Sequence, residues 1–150
     1  MISIGQPAPD WDALDDQGRR LRLTDFRGKK VVLYFYPKDD TPGCTKEACA
    51  FRDGWKEIQA RGAVVLGVSI DSVESHRRFK EKFTLNFPLL SDSEKKIVTA
   101  YQVWKEKSMY GRTFLGIERT TVIIDEAGRI ATIFPKVKVD AHLDEVLAAL

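Results

Sequence analysis

Cysteine is scarce in this sequence: its 150 residues include only two, Cys44 and Cys49, five positions apart. A scaffold held by several disulfides is therefore excluded, and a chain of this length can bury about 68–70% of its unfolded surface without one. Histidine is as rare, with only His76 and His142, and neither CxxC nor HxxxH spacing occurs. A zinc site therefore lacks ligands. The two thiols are either incidental small hydrophobic residues or a catalytic pair in a reducing compartment.

Long apolar runs and an excess of one charge are also missing. The longest strongly apolar run covers residues 31–36, far short of the about 20 residues that a membrane-spanning helix needs. The first ten residues lack the basic and apolar regions of a signal peptide. We therefore expect a cytoplasmic protein with no membrane partner. The 24 basic and 22 acidic residues are interspersed, which argues against a nucleic-acid partner.

The composition favours one folded domain over residues 1–150, because 43% of the residues are hydrophobic, 31% are charged and no linker or repeat interrupts the chain. Strand and helix patterns alternate in the middle and hairpin patterns lie at the edges, which predicts an α/β domain with a central mixed sheet flanked by helices. The predicted strands cover 10–14 and 19–23 (an N-terminal hairpin), 31–36, 64–70, 87–92, 118–125 and 129–134. The predicted helices cover 44–62, 73–83, 94–101 and a last segment that Asp140 caps, with Leu143, Val146, Leu147 and Leu150 facing inward. Periodicity alone does not select one small α/β fold among several.

Residues 102–118 show no clear periodicity, although they include Trp104, Met109 and Tyr110. We predict a loop here, placed to cover the functional site. The GxxxxG pattern at 111–116 is not a phosphate-binding loop, because the Lys and Ser or Thr that such a loop requires do not follow it.

The segment PKDDTPGC leads from a predicted buried strand into a predicted helix. Thr41 suits the N-cap, and Pro42 suits the first helical position, where its missing N–H is harmless. Cys44 then takes the third helical position, where unpaired amides and the positive end of the helix dipole favour the thiolate over the thiol. Gly43 leaves room for a small substrate beside the sulfur. This placement predicts a nucleophilic cysteine.

Cys49 lies on the same predicted helix, about 140° around the axis from Cys44 and away from the apolar stripe. On an intact helix the two Cα atoms would be about 8–9 Å apart, whereas a disulfide needs less than about 7 Å. A disulfide between them therefore requires the first turns to unwind. Gly54 lowers helix stability by about 0.5–1 kcal/mol relative to Ala, and either eases this opening or is an ordinary glycine in a helix.

Pro37, Thr41 and Cys44 match the PxxxTxxC signature of the peroxiredoxins. The continuation CTKEAC, with its second cysteine, resembles the bacterioferritin-comigratory-protein or PrxQ group, as do the segments GVSIDSVESHRRFKEKF, NFPLLSD and GIERTTVIID. The resemblance covers nearly the whole chain. It implies a thioredoxin-like fold and the reduction of hydrogen peroxide and organic hydroperoxides without a metal or organic cofactor.

The resemblance also implies a role for each matching residue. Cys44 would be the peroxidatic cysteine, Thr41 would donate its hydroxyl to the peroxide, Pro42 would shield the thiolate and Arg119 would be the active-site arginine. Cys44 would become a sulfenic acid, Cys49 would condense with it, and thioredoxin or a similar dithiol would restore both thiols. Members of the group are often monomers, so we expect a monomer.

Two other functions fit the residues. A thioredoxin-like disulfide carrier would exchange electrons with proteins, but such carriers use CxxC, which keeps both sulfurs within bonding distance. A redox-responsive binding module would expose a partner surface when the helix opens. It would consume no peroxide above the rate of a free thiol, which distinguishes it from a peroxidase.

Overall fold

The computed structural model describes residues 2–150. Within this range the strands are β1 (Asp12–Leu14), β2 (Arg20–Arg22), β3 (Lys30–Phe35), β4 (Ala63–Ser69), β5 (Leu89–Ser91), β6 (Trp104–Met109), β7 (Arg112–Ile117), β8 (Thr120–Ile124) and β9 (Ile130–Phe134). The α-helices are α1 (Pro42–Asp53), α2 (Trp55–Ala60), α3 (Val73–Phe83), α4 (Lys96–Ala100) and α5 (His142–Ala149), and a short 3₁₀ helix covers Leu23–Phe26. Among the described residues, no helix has both the length and the apolar composition of a membrane span.

Seven strands form one mixed sheet in the order β2-β1-β5-β4-β3-β8-β9. β3 is central: it pairs in parallel with β4 and antiparallel with β8. β4 pairs in parallel with β5, while the amino-terminal hairpin β1–β2 joins the β5 edge antiparallel. The predicted α/β class with a mixed central sheet is confirmed.

The central strand is buried on both faces, which explains its continuous apolar sequence. Alternate residues of β3 enter two separate core clusters: Val31, Leu33 and Phe35 pack with α4 residues, whereas Val32 and Tyr34 pack with α1, α3 and α5. Cys44 belongs to the second cluster. The first turn of α1 is therefore fixed against the sheet by apolar packing.

The helix predicted from Cys44 to Gly62 is interrupted at Gly54, which ends α1 and precedes α2. Gly54 is buried, and a Cβ built on it would lie 2.7 and 2.8 Å from the two Cδ atoms of Leu143 on α5. The glycine is thus required for the close approach of α5. The sequence analysis considered only that Gly54 eases the opening of the helix or is an ordinary glycine within it.

The prediction of a loop at 102–118 is wrong, because this segment forms the antiparallel hairpin β6–β7. Its turn is Tyr110-Gly111, with φ of +53° and +74°. Positive φ at both central residues is the geometry of a two-residue type I′ turn, which favours Gly at the second position. The two strands lack an alternation of apolar and polar residues because most of their residues are exposed on both faces.

The prediction that Asp140 caps the last helix is also wrong. α5 begins after Ala141, which has φ of +65°, and within residues 2–150 no side chain caps it. The Asp140 carboxylate instead pairs with Lys46 on α1. Val146 and Leu147 are buried against the sheet, as expected of the inward face.

Candidate active site

The site lies where β3 ends and α1 begins. Thr41 is the N-cap of α1 and Pro42 its first residue, so both predicted positions are confirmed. The Thr41 side chain differs from a usual N-cap in its hydrogen bond. Its hydroxyl donates to the carbonyl of Lys38 at 2.9 Å, and among the described residues it accepts no hydrogen bond from a backbone amide of the first turn. Pro42 is exposed at the surface. The first-turn amides therefore remain available near Cys44.

Cys44 is the third residue of α1 and only 1% exposed. Its Sγ accepts a hydrogen bond from Nη2 of Arg119 at 3.4 Å. A neighbouring guanidinium and the unpaired amides at the amino end of a helix are the surroundings in which reactive cysteines are found. The geometry thus brings together two of the residues that the sequence resemblance selects.

Arg119 lies between β7 and β8, and its backbone carbonyl accepts a hydrogen bond from the amide of Val137 at 2.8 Å. Its side chain is 17% exposed. Burial acts to lower the pKa of the guanidinium, but its interactions with Glu47 and Cys44 outweigh this effect and the pKa is raised. Arg119 therefore keeps its positive charge beside the sulfur.

Gly43 provides space for Arg119. A Cβ built on Gly43 would lie 3.1 Å from Nη2 of Arg119, closer than nearly all real Cβ contacts. The guanidinium thus lies in the space beside Gly43 that the sequence analysis assigns to a substrate, and a side chain at position 43 would require it to shift by a few tenths of an ångström.

Glu47 is a site residue that the sequence analysis missed. It lies one turn after Cys44 on α1, is 2% exposed, and its Oε1 accepts a hydrogen bond from Nη1 of Arg119 at 2.6 Å. Burial raises the pKa of Glu47 to about 7, although Arg119 opposes the shift. The spacing of three residues from Cys44 places both on one helix face and was the available signal.

Tyr34 on β3 completes the interior of the site. It is fully buried, and burial raises the pKa of its hydroxyl well above the ordinary value, with further contributions from Glu47 and Cys44. Neither the Tyr34 hydroxyl nor Oε2 of Glu47 has a hydrogen-bond partner among residues 2–150. Two unpartnered polar atoms thus lie in the apolar layer behind the sulfur.

Lys107 on β6 is coupled electrostatically to the site. Its side chain covers Gly116, where a Cβ would be 3.3 Å from the Lys107 Cδ. Burial and the positive charge of Arg119 lower the pKa of Lys107, while Cys44 acts in the opposite direction. The segment at 102–118 is therefore a hairpin whose cation adds to the field at Cys44.

Cys49 is half-buried on α1, and both thiols are free. The helix is continuous from Pro42 to Asp53. The Cα separation of about 8–9 Å that helix geometry gives two residues five apart therefore applies, and it exceeds the bonding range. The structure brings Arg119 to Cys44 but does not bring the two sulfurs together.

One group of side chains has the composition of a metal site: Asp39, Asp71 and His76 lie with their ligand atoms within 4.8 Å of one another. Their atoms are already occupied by protein partners. His76 Nδ1 is 2.7 Å from Asp39 Oδ2, and Asp71 Oδ2 accepts hydrogen bonds from the Asp39 amide and the Ser69 hydroxyl. The ligand atoms named here are thus engaged in hydrogen bonds within the protein.

Comparison with known proteins shows the family of the chain. Residues 4–133 match the model of the AhpC/TSA family. The chain is 53% identical over 149 residues to a putative peroxiredoxin bcp of Coxiella burnetii, covering 99% of both proteins. It is 50% identical to peroxiredoxin Bcp of Bacillus subtilis, covering 99% of this chain and 95% of that one.

Solved structures show the same fold. PrxQ of Xylella fastidiosa, in a cysteine-to-serine mutant, aligns with a TM-score of 0.94 and 38% identity over 99% of this chain and 94% of that one. The bacterioferritin comigratory protein of Xanthomonas campestris, studied for its alkyl peroxide reduction activity, aligns with a TM-score of 0.91 and 40% identity over 98% and 96% of the two chains. The predicted thioredoxin-like fold is therefore confirmed. The chain belongs to the AhpC/TSA family and is a peroxiredoxin, a peroxidase, of the Bcp/PrxQ group.

Proposed function

We propose that Cys44 is the peroxidatic cysteine and that the protein reduces hydrogen peroxide and organic hydroperoxides. The observation that carries this proposal is the contact of 3.4 Å between the Cys44 sulfur and the Arg119 guanidinium at the amino end of α1. The alkyl peroxide reduction studied in the Xanthomonas campestris relative supports organic hydroperoxides as substrates.

In the first step the Cys44 thiolate attacks the terminal oxygen of the hydroperoxide. An S–O bond forms as the O–O bond breaks, which leaves a sulfenic acid on Cys44 and an alkoxide or hydroxide that takes up a proton to become an alcohol or water. Arg119 and the first-turn amides stabilise the charge on the leaving oxygen. Thr41 donates its hydroxyl to the peroxide after exchanging its bond to the Lys38 carbonyl, and Pro42 limits access to the thiolate.

In the second step the Cys49 thiol attacks the sulfenic sulfur. An S–S bond forms and water leaves, so the oxidising equivalent passes from Cys44 to an intramolecular disulfide. The helix must unwind between the two cysteines before this step. Thioredoxin or a similar dithiol then reduces the disulfide by thiol exchange. We propose a monomeric enzyme, as members of the resembled group often are.

The test is hydroperoxide consumption by the purified protein with dithiothreitol and with a thioredoxin system. We expect Cys44→Ser to consume no peroxide above the background of a free thiol. Cys49→Ser should react once and then recycle poorly with thioredoxin. Peptide mass spectrometry of oxidised wild type should find Cys44 joined to Cys49.

Two results would contradict the proposal. Full activity of Cys44→Ser would assign the chemistry to another residue. Oxidised wild type without the Cys44–Cys49 linkage would remove Cys49 from the resolving step but leave the first step intact.

A further inference from the structure

Asp39 is a buried carboxylate that the proposed chemistry does not use. It lies two residues before Thr41, and its side chain is 4% exposed. Its Oδ1 accepts a hydrogen bond from the Tyr36 hydroxyl at 2.6 Å, and its Oδ2 accepts one from the Ser75 hydroxyl at 2.8 Å. The same Oδ2 is 2.7 Å from Nδ1 of His76. Buried carboxylates with this many partners fix the backbone that carries them.

His76 connects this loop to the sheet. The ring is fully buried on α3, and its Nε2 is 2.9 Å from the carbonyl oxygen of Leu90 on β5. A carbonyl oxygen only accepts, so Nε2 carries a proton. The distance of 2.7 Å between Nδ1 and Asp39 Oδ2 is that of a hydrogen bond, so both ring nitrogens have a partner in the protein.

The backbone between this pair and the active-site helix is strained. Asp40 has φ of +57°, in the left-handed region that residues other than glycine rarely adopt. Such a conformation persists only when its surroundings hold it in place. On one side Asp39 is held by His76, and its amide donates to Asp71 at 2.8 Å. On the other side the chain enters α1 directly at Thr41.

We propose that Asp39 and His76 form a positioning pair that holds residues 37–41, and with them Thr41 and the first turn of α1, in the geometry that reacts with peroxide. Weakening this pair shifts the protein toward the unwound form in which Cys44 and Cys49 can bond. The inference rests on the proposed function and adds the residues that set the balance between its two steps.

The pair acts on the two steps in opposite directions. The reaction with peroxide needs the helical first turn, because only there do Arg119 and the free amides surround the sulfur. Disulfide formation needs that turn to open. A weaker pair therefore slows the first step and accelerates the second, whereas a general loss of stability does not separate them.

The test uses two substitutions at one position. Asp39→Ala removes all three contacts of the carboxylate. Asp39→Asn keeps the shape of the side chain: its oxygen accepts from Tyr36, and its amide nitrogen donates to Nδ1 of His76 and to the Ser75 hydroxyl oxygen, which then accepts instead of donating. It should therefore rescue the loop. Asp15→Ala is the control: Asp15 is a buried carboxylate whose hydrogen bonds go to residues 17 and 19 in the first hairpin turn.

The measurement mixes each reduced protein with one equivalent of hydrogen peroxide, stops the reaction at intervals with a thiol-blocking reagent and counts sulfenic acid and disulfide by intact mass. We expect Asp39→Ala to form sulfenic acid about tenfold more slowly than wild type and to convert it to disulfide several-fold faster. Asp39→Asn and Asp15→Ala should match wild type in both steps. If Asp39→Ala does not fold, Ser75→Ala and Tyr36→Phe each remove one contact and should show smaller changes in the same directions.

Equal changes in both steps, or none, in Asp39→Ala or the two single-contact variants would overturn the positioning pair. So would the same separation of rates in Asp15→Ala. A wild type that forms sulfenic acid but no Cys44–Cys49 disulfide would instead overturn the proposed second step, and with it the balance that the pair is inferred to set.

Discussion

Arg119 lies 3.4 Å from the sulfur of Cys44, although the two residues are 75 positions apart in the chain. The other terminal nitrogen of the same guanidinium donates to Glu47, one turn further along α1. The planar group thus bridges two side chains of one helix face, and this fixes its orientation as well as its position. The positive charge is therefore held in one place beside the sulfur.

Arg119→Lys should slow the reaction of Cys44 with hydrogen peroxide by about 10²-fold, the usual cost of removing a donor that stabilises a developing charge. A lysine keeps the charge but cannot donate to Glu47 and contact the sulfur in one fixed plane. Stopped-flow measurement of the second-order rate constant is the check. The control is Arg112→Lys, an exposed arginine at the tip of the hairpin, which should leave the rate unchanged. Equal rates in Arg119→Lys and wild type would show that the bridge is unimportant.

Glu47→Gln should change the pH dependence of stability. Burial raises the pKa of Glu47 from 4.5 to about 7, so between these values the folded protein binds a proton that the unfolded chain releases. The stability of wild type relative to Glu47→Gln should therefore fall as the pH rises through this window, by about 1.4 kcal/mol for each pH unit, and stay level above it.

Urea unfolding of both proteins at several pH values measures this difference. His142, whose pKa burial lowers, is present in both proteins and cancels in the comparison. A difference that is constant from pH 4.5 to 7, or that rises with pH, would contradict the burial of a titrating Glu47.

Tyr34→Phe should leave the protein as stable as wild type, or more stable by about 1 kcal/mol, because the hydroxyl is buried without a partner among the described residues. The aromatic contacts with Phe51 and Phe87 would be kept. Thermal unfolding under identical conditions tests this. A clear loss of stability would show that the hydroxyl is satisfied in solution, for instance by a buried water.

Gly54→Ala should destabilise the protein by about 1–3 kcal/mol, because the new methyl group overpacks against Leu143. In a Leu143→Ala background the same change should be neutral or stabilising by up to about 1 kcal/mol, since alanine restricts the unfolded chain more than glycine does. Chemical unfolding of the four proteins of this cycle measures the coupling. Additive effects would mean that α5 does not press on Gly54.

Much of the fold could be predicted because the spacing of apolar residues along the chain indicates which side chains are buried. α3 has the predicted bounds Val73–Phe83, and the central strands are continuous apolar runs as expected for a sheet covered on both faces. The hairpin β6–β7 was missed because its exposed strands carry no such signal, although its turn contains the Tyr-Gly pair, with glycine where a type I′ turn favours it. The close approach of Leu143 to Gly54 joins residues far apart in the chain, which local sequence does not encode.

The candidate site also contains residues that local sequence predicts and residues that it does not. The positions of Thr41, Pro42 and Cys44 follow from local helix-start rules, and the structure places them there. Arg119 could be selected only by resemblance, because its contact with Cys44 depends on strand order. Glu47 was missed because a charged residue on a helix is normally assumed to face solvent, whereas here it points inward to pair with Arg119.

The most direct test of the proposed unwinding of α1 is hydrogen exchange along this helix in the reduced and peroxide-oxidised forms. Mass spectrometry would verify the Cys44–Cys49 bond in the oxidised sample. We expect amides between the two cysteines to be protected in the reduced protein and to exchange rapidly in the oxidised one, while those of β3 and β4 stay protected in both. Full protection of α1 in the disulfide form would contradict the proposed unwinding, because an intact helix cannot bring those two sulfurs together.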